Sequence, residues 1–179
     1  MKIGLRKIKV NNIMNKKPKV YLAGPDIFLP NPIEHGEKLK KICTKYGLQG
    51  LYPLDNQFDL SDLQRGPDKA IKIYQADIEL IDDSDCLVAN LSPFRGVSAD
   101  PGTCFELGYA VAQNKPVAIY SNDTREYKNK LKDLNLLEDD WSVEDMGLTD
   151  NLMLIAPAQN VVHDTFEAAI ADLSKMILD

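Results

Sequence analysis

The clearest indication of the fold comes from residues 86–121, CLVANLSPFRGVSADPGTCFELGYAVAQNKPVAIYS. This stretch begins with a mostly apolar run, passes through a loop and a segment of helical character, and ends with a second apolar run, PVAIYS, at residues 116–121. Apolar runs of this length without polar alternation are typical of strands that are buried on both faces, as parallel strands are. The stretch therefore predicts a strand, a helix and a second strand.

Strands and helices alternate in the same way on both sides of this unit. KVYLAGP (residues 19–25) predicts a buried strand that ends in a tight Gly-Pro turn, and LQGLYPLD (residues 48–55) predicts another strand. Further helices are predicted at residues 31–47, 66–85 and 165–178, and a fifth strand at NLMLIA (151–156) or the nearby NVV (160–162). The alternation predicts an α/β domain with a flavodoxin-like or Rossmann-like doubly wound sheet of about five parallel strands in the order 2-1-3-4-5.

Charge divides the chain into a basic head and an acidic body. Residues 1–19 hold seven Lys or Arg and no acid, and the remaining chain holds 14 basic against 27 acidic residues, a balance of −13. We predict a flexible basic extension over residues 1–18 and a single domain over residues 19–179. An arm that touches RNA or a membrane is the alternative interpretation of the head. An acidic body is a poor ligand for nucleic acid, so no nucleic-acid partner is expected.

Composition also limits the compartment and the cofactors. No apolar run approaches the roughly 18 residues of a membrane span, and the N-terminus lacks the pattern of a signal peptide. The three cysteines are an odd number without metal-ligand spacing, and there are two histidines. These features predict reduced thiols, a cytoplasmic protein without a membrane partner, and no metal site.

In the predicted sheet, a crevice lies between strands one and three at their C-terminal ends. The loops GPDIFLPNP (24–32) and SPFRGVSADPGT (92–103) enter it. Asp100 and Pro101 have the types of an N-cap and a first helical residue, which places Glu106 in the second turn of a helix that starts at the crevice. Two glycines in this helix are expected to allow a ligand or a strand to approach closely, namely Gly102 and Gly108.

Glu106 is the only charged residue between positions 101 and 114. It is either a structural acid that pairs with Arg95 or a tyrosine, or a working carboxylate. Asp77 lies by helical spacing on or beside the buried stripe of its own helix. The expected convergence of Asp77, Asp100 and Glu106 on one crevice favours chemistry at an anomeric carbon. GxGxxG, GxxxxGK[ST] and GxSxG motifs are absent, which argues against dinucleotide, P-loop and serine-hydrolase sites.

Several segments together resemble the nucleoside 2-deoxyribosyltransferase family. They are VYLAGP with Tyr21, ADI with Asp77, and, in addition, YPLDNQF (52–58), DPGTCFELGYA (100–110) and the weaker DNLML (150–154). The D-x-G-x-x-x-E-L-G pattern is shared with the related 2′-deoxynucleoside 5′-phosphate N-hydrolases. The carboxylate of Asp100 would repel a phosphate, and PLDNQ also favours the transferases.

The resemblance implies a covalent double displacement without metal or organic cofactor. Glu106 attacks C1′ of a 2′-deoxynucleoside, Tyr21 orients Glu106, and Asp77 and Asp100 position the substrate, one of them protonating the departing base. The expected substrate-contacting residues are Gly24, Pro25, Asn56, Gln57, Gly102 and Asn151.

The resemblance also implies a homo-oligomer in which Asn151 completes a neighbour's site. The expected partners are 2′-deoxynucleosides and free nucleobases, in nucleoside salvage. Hydrolysis of a 2′-deoxynucleoside or its 5′-phosphate is the alternative activity, and a non-catalytic nucleotide-binding module of the same fold is the other class.

Overall fold

The computed structural model describes residues 16–55, 65–137 and 140–179. The strands are β1 (Lys19–Ala23), β2 (Gln49–Leu51), β3 (Cys86–Asn90) and β4 (Val117–Tyr120), and the helices are α1 (Pro32–Lys45), α2 (Pro67–Asp83), α3 (Pro101–Ala112), α4 (Tyr127–Asp133), α5 (Leu152–Ile155) and α6 (Phe166–Leu178). The strands form one parallel sheet in the order β2-β1-β3-β4. The predicted α/β class and strand order are confirmed.

The predicted fifth strand is the main difference from expectation. Residues 151–156 are not extended. Asn151 caps α5 by accepting a hydrogen bond from the backbone N–H of Met153. Ala156, directly after α5, begins the 3-10 helix Ala156–Ala158. Beyond it, His163 makes a single parallel bridge to Tyr120, beside β4. Gln159 and Asn160 have positive φ angles of 56° and 63°, a left-handed conformation that interrupts an extended strand just before this bridge. The described sheet therefore has four strands rather than about five.

Each face of the sheet packs against two of the long helices. Val20 and Leu22 of β1 lie in a core with residues of α1 and α6. Tyr21 and Ala23, which point the other way because strand side chains alternate, lie in a core with residues of α2 and α3. Tyr21 thereby has its side chain on the same face as α3.

Strand β2 is shorter than predicted because a 3-10 helix, Pro53–Asp55, follows it closely. Asp55 accepts a hydrogen bond from the backbone N–H of Tyr52 over 2.9 Å and pairs with Lys40 over 2.7 Å. Asp55 thus caps the turn after the second strand.

The structure describes little of the predicted N-terminal extension. Residues 1–15 of the predicted extension lie outside the described residues, and residues 16–18 have no regular structure. In the described ranges, no helix is both long enough and apolar enough to cross a membrane.

Candidate active site

The crevice lies where two adjacent strands lead to opposite faces of the sheet. The first crevice loop, residues 24–31, follows β1 and leads to α1, while the second crevice loop, residues 91–100, follows the neighbouring β3 and leads to α3. Because α1 and α3 pack on opposite faces, the two loops separate at the C-terminal edge of the sheet. Open α/β sheets bind ligands at such a position.

A hydrogen bond between Tyr21 and Glu106 joins the sheet to α3 at this place. The Tyr21 hydroxyl donates to Glu106 Oε1 over 2.7 Å. Tyr21 is fully buried in β1, and Glu106 is partly buried in the second turn of α3. The hydrogen-bond partner of Glu106 is therefore a tyrosine and not Arg95. Arg95 instead lies exposed, with its guanidinium 5.1 Å from the centre of the Phe94 ring.

The start of α3 is fixed by Asp100. Its Oδ2 accepts hydrogen bonds from the backbone N–H of Thr103 over 2.9 Å and from the Thr103 hydroxyl over 3.2 Å. Pro101 is the first helical residue, as predicted. The capping carboxylate lies against Gly102, where an added Cβ would be 3.0 Å from Asp100 Oδ2. Gly108 faces open space, so it does not serve close packing against a strand.

The carboxyl groups of Glu106 and Asp77 both hold their protons more tightly than usual. Burial raises the pKa of Glu106 to about 7, and the charges of Asp77 and Asp100 act in the same direction, against the hydrogen bond from Tyr21, which lowers it. Burial raises the pKa of Asp77 to about 6. The pKa of Tyr21 is raised by burial and by the charges of Glu106 and Asp77. These mutual effects place Tyr21, Asp77, Asp100 and Glu106 in one electrostatic cluster.

This cluster has the properties needed for nucleophilic and acid–base chemistry. A carboxyl group with a pKa near 7 is partly ionised at neutral pH and is still poorly solvated, which keeps its anion reactive. A second carboxyl group with a raised pKa can hold a proton beside it, as in pairs of acids that divide the roles of nucleophile and acid. Among the described residues, no group of three or more His, Cys, Asp or Glu side chains is arranged to hold a metal ion.

The other predicted site residues are distributed as follows. Gly24 and Pro25 begin the first crevice loop and are partly buried. Asn56 and Gln57 lie outside the described residues. Asn151 is exposed; besides capping α5, it donates from Nδ2 to Glu144 Oε1 over 2.9 Å.

Sequence reasoning missed an aromatic contact across the crevice. The rings of Phe28 and Phe94 are stacked with their centres 5.5 Å apart, which joins the first crevice loop to the second. The two residues are far apart in sequence, and their spacing carries no signal. Their common feature is that each lies four or five residues after the end of a strand next to the crevice.

Comparison with known proteins gives a family match. The model of the family described as nucleoside 2-deoxyribosyltransferase matches residues 20–153. An uncharacterized protein from Schizosaccharomyces pombe is 42% identical over 119 residues, which are 66% of this chain and 56% of that protein. The chain thus spans little more than half the length of this relative.

Two solved structures carry related folds. A 2-desoxiribosyltransferase from Leishmania mexicana has a TM-score of 0.71 and 34% sequence identity, with 88% of this chain and 97% of that chain covered. A 2-deoxyribosyltransferase from Bacillus psychrosaccharolyticus has a TM-score of 0.56 and 20% identity, with 87% of this chain and 95% of that chain covered. At that identity, the second likeness concerns the fold alone.

The raised pKa of Glu106 predicts that Glu106→Gln stabilises the protein at alkaline pH. The folded-state pKa, about 7, lies above the usual 4.5, so the proton bound by Glu106 favours folding at low pH, and this contribution is lost as the pH rises from 4.5 through 7. The glutamine keeps an oxygen for Tyr21 and carries no charge. We expect it to raise the free energy of unfolding at pH 8 by about 1–3 kcal/mol and to have little effect at pH 4.5.

Urea denaturation of both proteins at the two pH values measures this difference. Glu79→Gln, which removes the same charge from an exposed position of α2, is the matched control and should show no such pH-dependent gain. Equal stability of wild type and Glu106→Gln at pH 8 would contradict the assignment of Glu106 as a partly buried carboxylate with a raised pKa.

Proposed function

The chain belongs to the nucleoside 2-deoxyribosyltransferase family, and we propose that it transfers the 2-deoxyribosyl group of a 2′-deoxynucleoside from one nucleobase to another. The observation that carries the proposal is the 2.7 Å hydrogen bond from Tyr21 to the partly buried Glu106 at the edge of the crevice. A module that only binds nucleotides has no need of a carboxylate that is desolvated and oriented in this way.

In the first half of the proposed reaction, Glu106 is the nucleophile. Its Oε1 accepts the hydrogen bond from Tyr21, which leaves Oε2 to attack C1′ of the sugar. The bond between C1′ and the base nitrogen breaks as the bond between Oε2 and C1′ forms, through a transition state with positive charge on the sugar ring. The product is an ester between deoxyribose and Glu106.

The departing base needs a proton, because a neutral base leaves more easily than an anion. Asp77 is the better candidate for this acid, since burial raises its pKa to about 6. Asp100 uses Oδ2 to hold Thr103 at the start of α3, which favours a positioning role for it. In the second half, the incoming base attacks C1′, the ester bond breaks, and the base's proton returns to the acid. Two inversions keep the β configuration.

The proposed substrate is a nucleoside rather than a nucleotide. The N-terminus of α3 would attract a phosphate, but the carboxylate of Asp100 already occupies it. Hydrolysis is the alternative outcome at the same site, with water in place of the incoming base. We also propose that the exchange serves nucleoside salvage in the cytoplasm and needs no cofactor.

The direct test is to incubate the protein with deoxyinosine or thymidine and free adenine, and to measure deoxyadenosine by chromatography. We expect deoxyadenosine to form in wild type and in the control Glu79→Ala, and to fall by about three orders of magnitude or more in folded Glu106→Ala, because the nucleophile is lost. Release of free deoxyribose at the same rate with and without adenine would identify a hydrolase. Near-normal exchange by Glu106→Ala would rule out Glu106 as the nucleophile.

We further propose that the protein is a homo-oligomer in which Asn151 reaches a neighbour's crevice. Large apolar side chains are exposed on the two helices that carry the site, Tyr74 on α2 (53%) and Phe105 on α3 (51%), and the rings of these two residues lie 6.1 Å apart. Met153, next to Asn151 in α5, is 72% exposed. Exposed apolar groups that cluster around a site favour a protein partner, and a second copy is the commonest one.

Mixing two inactive variants tests the shared site. We expect Glu106→Ala and Asn151→Ala each to be inactive alone and to recover part of the activity after their subunits exchange. Recovery is expected because some mixed interfaces combine an intact Glu106 with an intact Asn151. Light scattering establishes the oligomer, and exchange of differently tagged subunits is shown separately. A fully active monomer would exclude the oligomer, and failure to recover despite proven exchange would place Asn151 outside the neighbour's site.

A further inference from the structure

A second group of buried polar side chains lies beneath the first crevice loop, on the face of the sheet opposite Glu106. Its centre is Asp26, whose side chain is 14% exposed. Asp26 Oδ2 accepts a hydrogen bond from Asn90 Nδ2 over 3.0 Å, and Asp26 Oδ1 lies 3.0 Å from His35 Nε2. The partners come from the end of β3 and from α1, so one carboxylate of the loop contacts both neighbouring elements.

Two tyrosines complete the surroundings of this carboxylate. The pKa of Tyr52 is raised to about 12 by burial and by the charges of Asp26 and Asp55, and the pKa of Tyr120 is raised by burial and by Asp26 and Tyr52. Tyr52 is 2% exposed, and its hydroxyl has no hydrogen-bond partner within the described part of the chain. Asp26 is thus surrounded by polar groups from β3, β4, α1 and the residue that follows β2.

Gly24 packs closely against the side chains of Asp26 and Asn90. A Cβ at this position would lie 2.4 Å from Asp26 Oδ2 and 2.9 Å from Asn90 Cβ. The backbone of Gly24 is extended, with φ at 168°, so a glycine is not required here by a left-handed conformation. The absence of a side chain at Gly24 is instead what allows the Asp26–Asn90 contact to form.

The same contact continues into the second crevice loop. Asn90 Oδ1 accepts a hydrogen bond from the backbone N–H of Ser92 over 3.1 Å, and Ser92 Oγ accepts one from the backbone N–H of Asn122 over 3.0 Å. The two crevice loops are therefore joined twice, at their base by Asp26 and Asn90 and farther out by the stacked rings of Phe28 and Phe94.

We propose that Asp26 is a positioning residue, which acts through Asn90 to hold the first crevice loop against β3 and so presets the width of the crevice. This inference rests on the proposed function. Asp26 is on the opposite face from Tyr21 and Glu106, so it does not touch the reacting atoms. Its effect falls on binding, because a loop that is already ordered loses less freedom when substrate enters.

The test compares Asp26→Ala with the isosteric Asp26→Asn, which keeps an oxygen for Asn90. We expect Asp26→Ala to raise KM for the deoxynucleoside about ten-fold while kcat changes less than about three-fold, since Glu106 and Tyr21 are held by other elements. Asp26→Asn should recover most of the loss. The matched control is Asp172→Ala, which breaks the other Asp–His pair, 3.3 Å from His163 and outside the crevice, and should leave KM unchanged.

Two further measurements distinguish a positioning role from general damage. Asn90→Ala should raise KM as Asp26→Ala does, and the double variant should be no worse than either single variant. Amide hydrogen exchange should be faster at residues 24–31 in Asp26→Ala and unchanged at residues 101–112. This exchange is measured without substrate, so it tests the contact even if wild type lacks deoxyribosyl transfer, a result that would reject the proposed function.

An unchanged KM with unchanged amide exchange would overturn the proposal. A fall in kcat with KM preserved would also overturn it, since Asp26 would then act on the chemical step. Additive losses in the double variant would show that Asp26 does not act through Asn90.

Discussion

The hydrogen bond between Tyr21 and Glu106 is the interaction on which the rest of the site depends. A carboxylate on a helix that faces the sheet would be destabilising without a partner, because its burial removes water that nothing else replaces. The Tyr21 hydroxyl supplies that partner over 2.7 Å, and it fixes which oxygen of Glu106 remains free. This one contact thus offsets the cost of burial and orients Glu106 for the proposed attack on C1′.

The fold produces this contact through ordinary rules of strand and helix geometry. Side-chain alternation in β1 puts Tyr21 on the face covered by α3, and Asp100 fixes the start of α3 so that Glu106 comes to lie in its second turn. The neighbouring carboxylates then raise the pKa of Glu106 beyond the effect of burial. Packing therefore stabilises the site, while repulsion between its carboxylates destabilises it. Functional sites commonly reduce protein stability in this way.

The parts of this structure that could be predicted from sequence are those set by local patterns. Apolar runs identified β1, β3 and β4, the Asp100-Pro101 pair identified the start of α3, and the lone acid in an apolar helix identified Glu106. The strand predicted at residues 151–156 is wrong because short apolar runs do not distinguish a strand from a helix, and Asn151 caps a helix instead. The contacts of Asp26 with His35 and Asn90 escaped prediction because they join distant segments on a face that carries no periodic signal.

The proposed mechanism requires that Glu106 becomes covalently bonded to deoxyribose during the reaction. Intact-protein mass spectrometry after rapid acid quenching of wild type with a deoxynucleoside alone tests it most directly. We expect an added mass equal to one deoxyribosyl group, which peptide mapping locates on Glu106. This added mass should be absent from Glu106→Ala and should be lost when adenine is added before quenching. Efficient exchange between bases without any such adduct, with kinetics that require both substrates to be bound together, would contradict it.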